Sequence, residues 1–171
     1  DLESLIIALT ACGYTSDNFS GSSLAAALYN RNIDSFRTDD IINALLIMNY
    51  ANIPNNYKIN RRILVQKLLD NEYTGENNMG WGIGNSADPY ITGTALCALA
   101  PFDNMEDVKT AIEGAVKTLA NNEKENGYIS GYNGITSETI ASVITGLIAV
   151  GVNPEGITTF DDGTKVNFAK Q

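Results

Sequence analysis

Acidic residues recur where apolar helical patterns begin: Glu3, Asp39 and Asp40, Asp88, and Glu138. Two carboxylates held at a fixed separation are the minimum for glycoside hydrolysis, one as acid and one as base or nucleophile. The same placement suits helix capping, because unpaired first-turn amides and the positive end of the helix dipole attract a carboxylate. Thr38, Ser86, Thr136 and Ser137 stand beside these acids as further cap residues, which makes capping the better-supported role. A second group is aromatic: Trp81 in "NMGWGIGNS", Tyr90 just after Asp88, and Tyr128 and Tyr132 around "ISG". Such rings either grip an apolar or sugar-like ligand or plug a joint between helices. Gly80, Gly82 and Gly84 permit positive φ around Trp81. Recurrence of an aromatic in the next turn favours the joint.

Other chemistries are excluded by what the chain lacks. There is no histidine among the 171 residues, so Ser-His-Asp and Cys-His catalysis and imidazole-bound zinc are ruled out. No metal site and no cofactor are expected. Cys12 and Cys97 both fall inside apolar helical patterns and read as buried free thiols. The 11 basic and 20 acidic residues give a net charge of −9, which argues against nucleic acid or an anionic membrane surface as partner. No stretch is apolar for long enough to span a bilayer. An "NFS" at Asn18 matches a glycosylation acceptor, a pattern short enough to arise by chance.

The elements that position these residues repeat. Four segments share an acid or hydroxyl start, an apolar helix and a turn: "DLESLIIALTACGY", "RTDDIINALLIMNYANIP", "DPYITGTALCALAPF" and "TSETIASVITGLIAVGVNP". Their small-Leu pairs, Ala8-Leu9, Ala44-Leu45, Ala95-Leu96 and Gly146-Leu147, are spaced 36, 51 and 51 residues apart. These helices, about 2–13, 38–50, 88–100 and 137–150, are apolar or small nearly all round, as helices covered on every side are. Between them lie one-sided helices at about 22–30, 59–71 and 105–122. The second would bury Ile63, Leu64, Lys67 and Leu68, and the third Val108, Ile112, Ala115, Val116 and Leu119. Alternating inner and outer helices point to an all-α array of stacked hairpins; the alternative, an ordinary compact helical bundle, does not require the 51-residue self-similarity. No alternating β-branched run is long enough for a sheet. "NIPNNYK" (52–58) reads as a linker, and "NNEKENG" (121–127) as a solvated turn.

"GWGIGNSADPYITGTALCALAPF" (80–102) and "NGYISGYNGITSETIASVITGLIAVGVNP" (126–154) resemble the α/α-toroid repeats of terpene cyclases, protein prenyltransferase β subunits and cobalamin carriers. The prenyltransferase-like repeat domains of Gram-positive surface proteins are the most similar branch. The two strong repeats cover about a third of the chain and are specific for fold rather than function. The resemblance implies a single partial toroid over 1–171, a piece of a longer chain. "FDDGTKVNFAKQ" (160–171) would open a fourth outer helix. A full ring has about six hairpins, so other domains of the parent chain or a second copy would have to close it.

The resemblance also implies enzymatic requirements that this chain does not meet. The prenyltransferase zinc triad needs a histidine. Squalene-type cyclases protonate through D-x-D-D, of which "RTDDII" keeps only Asp39 and Asp40. The thioester motif of complement-like relatives is absent. The expectation is therefore a non-catalytic binding or scaffold module of a bacterial extracellular or cell-surface protein, with Trp81, Tyr90, Tyr128 and Tyr132 as ligand-contacting candidates. The alternatives are a carboxylate-dependent enzyme acting on an isoprenoid or glycan, with Asp39, Asp40, Asp88 or Glu138 as its acids, and a cobalamin-like small-molecule carrier.

Overall fold

A computed structural model describes residues 2–16, 19–51, 53–123 and 128–168. Asn18 of the glycosylation-like triplet, Asn52, and residues 124–127 of the expected solvated turn lie outside them. The chain is mostly helical, with seven α-helices and two small sheets among the described residues. It divides into two compact units, Asp1–Asp70 and Asn71–Gln171.

The first unit contains α1 (Leu2–Ala11), α2 (Leu24–Tyr29), α3 (Thr38–Tyr50) and α4 (Arg61–Asp70). Ser23 starts α2 by accepting the Ala26 amide at 3.0 Å, which satisfies one of the orphan donors of the first turn. α3 supplies the centre of the core, where Ile41, Ile42, Ala44, Leu45 and Met48 are buried. The Tyr29 hydroxyl is also buried and donates to the Ala44 carbonyl at 2.8 Å. Burial, with the nearby Glu3 carboxylate adding to it, raises the Tyr29 pKa well above the usual phenol range despite the lowering effect of Arg61. Arg61 ties the start of α4 to the end of α3, its guanidinium donating to the carbonyls of Met48 and, at 3.1 Å, Ile53. Glu3 is buried on α1, with Arg31 at 3.7 Å. Along α4, Leu64, Val65 and Leu68 face inward while Ile63 is 37% exposed. The buried stripe is therefore rotated from the one expected, with Val65 in place of Ile63.

The second unit contains a hairpin of β1 (Tyr73–Gly75) and β2 (Asn78–Gly80), then α5 (Pro89–Leu99), α6 (Glu106–Asn122) and α7 (Ser137–Ala149). A second hairpin follows, formed by β3 (Ile157–Thr159) and β4 (Lys165–Asn167). α5 and α7 meet through glycine. A Cβ at Gly93 would lie 2.5 Å from the Ser142 carbonyl oxygen, and one at Gly146 would lie 2.4 Å from that of Gly93. α6 buries the stripe expected of it, Val108, Ile112, Ala115, Val116 and Leu119. It also receives the first hairpin: Met79 lies against Gly114, and the Met79 amide donates to Thr118 Oγ1 at 3.0 Å.

Four expectations are corrected. Residues 160–168 do not open an outer helix. Lys165–Asn167 pairs antiparallel with Ile157–Thr159 around an Asp-Asp-Gly turn in which Gly163 has φ +82°. β-branched Ile157, Thr158, Thr159 and Val166 favour extended backbone, and the turn supplies what the hairpin needs. The first hairpin, Tyr73–Gly80, turns through Asn77 at φ 55°; short sheets therefore exist where none was expected. α1 and α7 are not covered on every side, since Leu5 and Ile7 of α1 and Ile144 and Ile148 of α7 are exposed. Cys12 follows the end of α1 and is exposed, while Cys97 is half-buried; both thiols are free.

Candidate functional site

The residues singled out from sequence fall in both units, and the best-defined group surrounds the start of α5. Asp88 is the residue before that helix, in extended conformation, with Pro89 in the first helical position. Its Oδ1 accepts the amides of Tyr90 at 2.9 Å and Ile91 at 3.2 Å. Its Oδ2 accepts the Tyr132 amide at 2.7 Å, from the turn that precedes α7. One carboxylate thus caps a helix and fastens a second segment to it. The approach is close enough that a Cβ at Gly131 would lie 3.0 Å from Asp88 Oδ2. That turn closes on itself through reciprocal amide-carbonyl bonds between Gly131 and Gly134, at 3.0 and 2.9 Å.

Trp81 lies behind this group and is fully buried. Its backbone is fixed to α5 through Thr92, whose hydroxyl accepts from the Trp81 amide and donates to the Trp81 carbonyl, both at 3.1 Å. The Asp88 amide donates to the same carbonyl at 2.8 Å. The Trp81 side chain has no exposed surface and packs as a joint. Of its three neighbouring glycines only Gly80 has positive φ, at 131°. Gly82 is needed for space, because a Cβ there would lie 2.2 Å from the Ser86 carbonyl oxygen.

The matching position in the following turn is filled differently. Tyr128 is 44% exposed and the neighbouring Ile129 is buried, so an aliphatic side chain plugs that joint. Tyr90 is 43% exposed and Tyr132 is 96% exposed. Their amides both reach Asp88, which brings the backbones of these two exposed tyrosines to one carboxylate. The Ser142 hydroxyl donates to the Tyr90 carbonyl at 2.7 Å and fixes the start of α5 against α7. Sequence reasoning marked Ser142 as a small residue that lets α7 approach a neighbouring helix, and missed Thr92 and Gly131. The only sign of them was their small size next to residues already of interest.

The other carboxylates are also committed to helix starts. Asp40 Oδ2 accepts the Arg37 amide at 2.9 Å, and Asp39 pairs with the Arg37 guanidinium. Both act at the first turn of α3. Glu138 lies in the first turn of α7, fully exposed. Its own amide, followed by Thr136 and Ser137, holds its carboxyl below the usual range. A carboxyl so held is a poor proton donor near neutral pH. Among the described residues no group of three or more His, Cys, Asp or Glu side chains is placed to hold a metal ion. No helix among them is long and apolar enough to cross a membrane. No protein-family model, curated protein or solved structure matches the chain.

Proposed function

We propose that this chain is a non-catalytic binding module of a bacterial extracellular or cell-surface protein, built as an open, toroid-like arc of helical hairpins. The observation that carries the reading is the use of Asp88: both carboxylate oxygens are occupied by three backbone amides that hold the fold together. Asp40 and Glu138 are likewise used in capping. Tyr90 and Tyr132, whose backbone amides Asp88 binds, carry exposed side chains. Exposed tyrosine offers a flat apolar face with a polar edge, suited to the apolar face of a sugar ring. The glycine contact of α5 with α7 supports the toroid-like arrangement, in which inner helices approach closely.

Binding and turnover are measured together, with peptidoglycan fragments, neutral oligosaccharides and farnesyl diphosphate as probes. The expected result is saccharide binding without conversion, weakened roughly 5- to 150-fold, about 0.5–1.5 kcal/mol for each stacked aromatic, by Tyr90→Ala with Tyr132→Ala. Product formation that Asp88→Asn abolishes would show the chain to be an enzyme. Failure of every saccharide to bind at millimolar concentration removes the ligand class.

A further inference from the structure

The turn that meets Asp88 carries an Asn-Gly pair, Asn133-Gly134. Asn133 is exposed, and its side-chain amide makes no hydrogen bond to any described residue. The space around Gly134 is open: its φ is +82°, and a Cβ there would meet nothing within 4 Å. Without a Cβ, glycine also leaves its own nitrogen the least obstructed of any residue. Two bonds restrain the turn. The Gly134 amide donates to the Gly131 carbonyl at 2.9 Å, which occupies the nitrogen next to Asn133. Asp88 Oδ2 accepts the Tyr132 amide at 2.7 Å, which ties the turn to the start of α5.

We propose that Asn133 deamidates spontaneously and that the Asp88–Tyr132 bond sets the rate. The Gly134 amide nitrogen gives its proton to solvent base and attacks the Asn133 side-chain carbonyl carbon, forming a new C–N bond. The bond to the side-chain nitrogen breaks, and that nitrogen takes up a proton and leaves as ammonia. Water then opens the cyclic imide at either carbonyl, yielding aspartate or isoaspartate. One water is consumed for each ammonia released, with no change of oxidation state. In the closed turn the Gly134 N–H is held by Gly131, so the reaction proceeds from a locally opened turn. Asp88 disfavours that opening. Isoaspartate routes the main chain through the Cβ of residue 133 and so lengthens the turn by one atom. The reciprocal Gly131–Gly134 bonds then lose their register, and the modification loosens the tie that restrains it. None of this rests on the saccharide reading, because it is read from covalent mass rather than from binding.

The full chain is held for weeks at mildly alkaline pH and followed by peptide mass mapping, which separates Asn133 from the other Asn-Gly pair, Asn126-Gly127. The expected result is conversion at Asn133, slower than in the urea-unfolded chain. Asp88→Ala should accelerate it about fivefold or more, the change in opened population when a turn loses one hydrogen bond. Gly146→Ala, in the C-terminal half of α7, weakens the same unit and should accelerate it less, which separates opening of the turn from unfolding of the unit. Absence of conversion at Asn133 in the folded chain, a rate indifferent to Asp88→Ala, or Gly146→Ala as effective as Asp88→Ala would each overturn the proposal.

Discussion

Adding a single methyl group at Gly146 tests the packing of the second unit. In Gly146→Ala the new Cβ would sit 2.4 Å from the Gly93 carbonyl oxygen and 2.9 Å from the Gly93 Cα. Both obstacles are backbone, so neither can rotate aside. Ordinary contact begins near 3.4 Å, so α5 and α7 must separate by about 1 Å, enough to forfeit a quarter to a half of the dispersion energy at their seam. Overpacking against backbone, which cannot give way, falls in the upper part of the usual range, about 2–3 kcal/mol. Against that, alanine gains about 1 kcal/mol over glycine in a helix interior. The net expectation is a loss of about 1–2 kcal/mol, or roughly 2–8 °C in Tm for a chain of this length.

Gly114→Ala is the internal comparison. It too would create a close contact, at 2.3 Å, but with the terminal methyl of Met79, a flexible side chain that can move. The same gain in helix propensity then meets a smaller penalty, and the change should be within about 0.5 kcal/mol of neutral. Urea unfolding followed by circular dichroism measures both variants. If Gly146→Ala is as stable as the parent chain, or if Gly114→Ala is the more damaging of the two, the glycine seam is not what sets the spacing of α5 and α7.

Asp88→Ala removes a helix cap and the tie to the Tyr132 amide, so a loss of about 1–2 kcal/mol in chemical unfolding is expected; an unchanged midpoint would deny the cross-linking role. Tyr29→Phe leaves the buried Ala44 carbonyl without its side-chain donor and should cost about 1 kcal/mol, again read from urea curves. Burial raises the Glu72 carboxyl from 4.5 to about 7. Because the unfolded chain ionises this group first, its contribution is fully present below pH 4.5 and is lost as pH rises through 7. Glu72→Gln should therefore raise Tm at pH 8 relative to the parent chain and have less effect at pH 4; equal effects at both would contradict the assignment. Lys109 pairs with Asp161, Lys117 lies 3.0 Å from Asp162 and its ammonium stands over the Phe160 ring. Lys117→Ala should therefore speed proteolytic cutting in the 160–164 turn, most visibly at low salt, where exposed ion pairs are least screened.

Helix periodicity located most of the elements and little of what surrounds them. The expected helix at 38–50 coincides with Thr38–Tyr50, because the Asp40 carboxylate accepts the Arg37 amide at its start and a long apolar run propagates it. The α6 stripe was equally readable, since a 3.6-residue repeat with charges opposite leaves one orientation. The covering of α1 and α7 was not readable. An apolar sequence fixes how much surface is available to bury, whereas exposure depends on which neighbours arrive. The C-terminal hairpin was missed because three-residue strands carry too little alternation to outweigh the repeat, even with Asp-Asp-Gly between them. At the candidate site, Asp88 was recognisable as a cap from its place before Pro89. Its second bond, to the Tyr132 amide, joins residues 44 positions apart, a pairing that no local pattern encodes. The exchange of a ring for Ile129 in the second joint was hidden for a related reason: a plug is selected by volume and direction, and adjacent Tyr128 and Ile129 both qualify by hydrophobicity.

Trp81 is the one tryptophan in the chain, and it is sealed within the second unit. The protein therefore carries an intrinsic optical reporter for half of itself. Its emission should be blue-shifted in the native state and move to the red when Asn71–Gln171 opens. Far-ultraviolet dichroism sees helices in both units, so a gap between the two signals would time the loss of one unit against the other without any label.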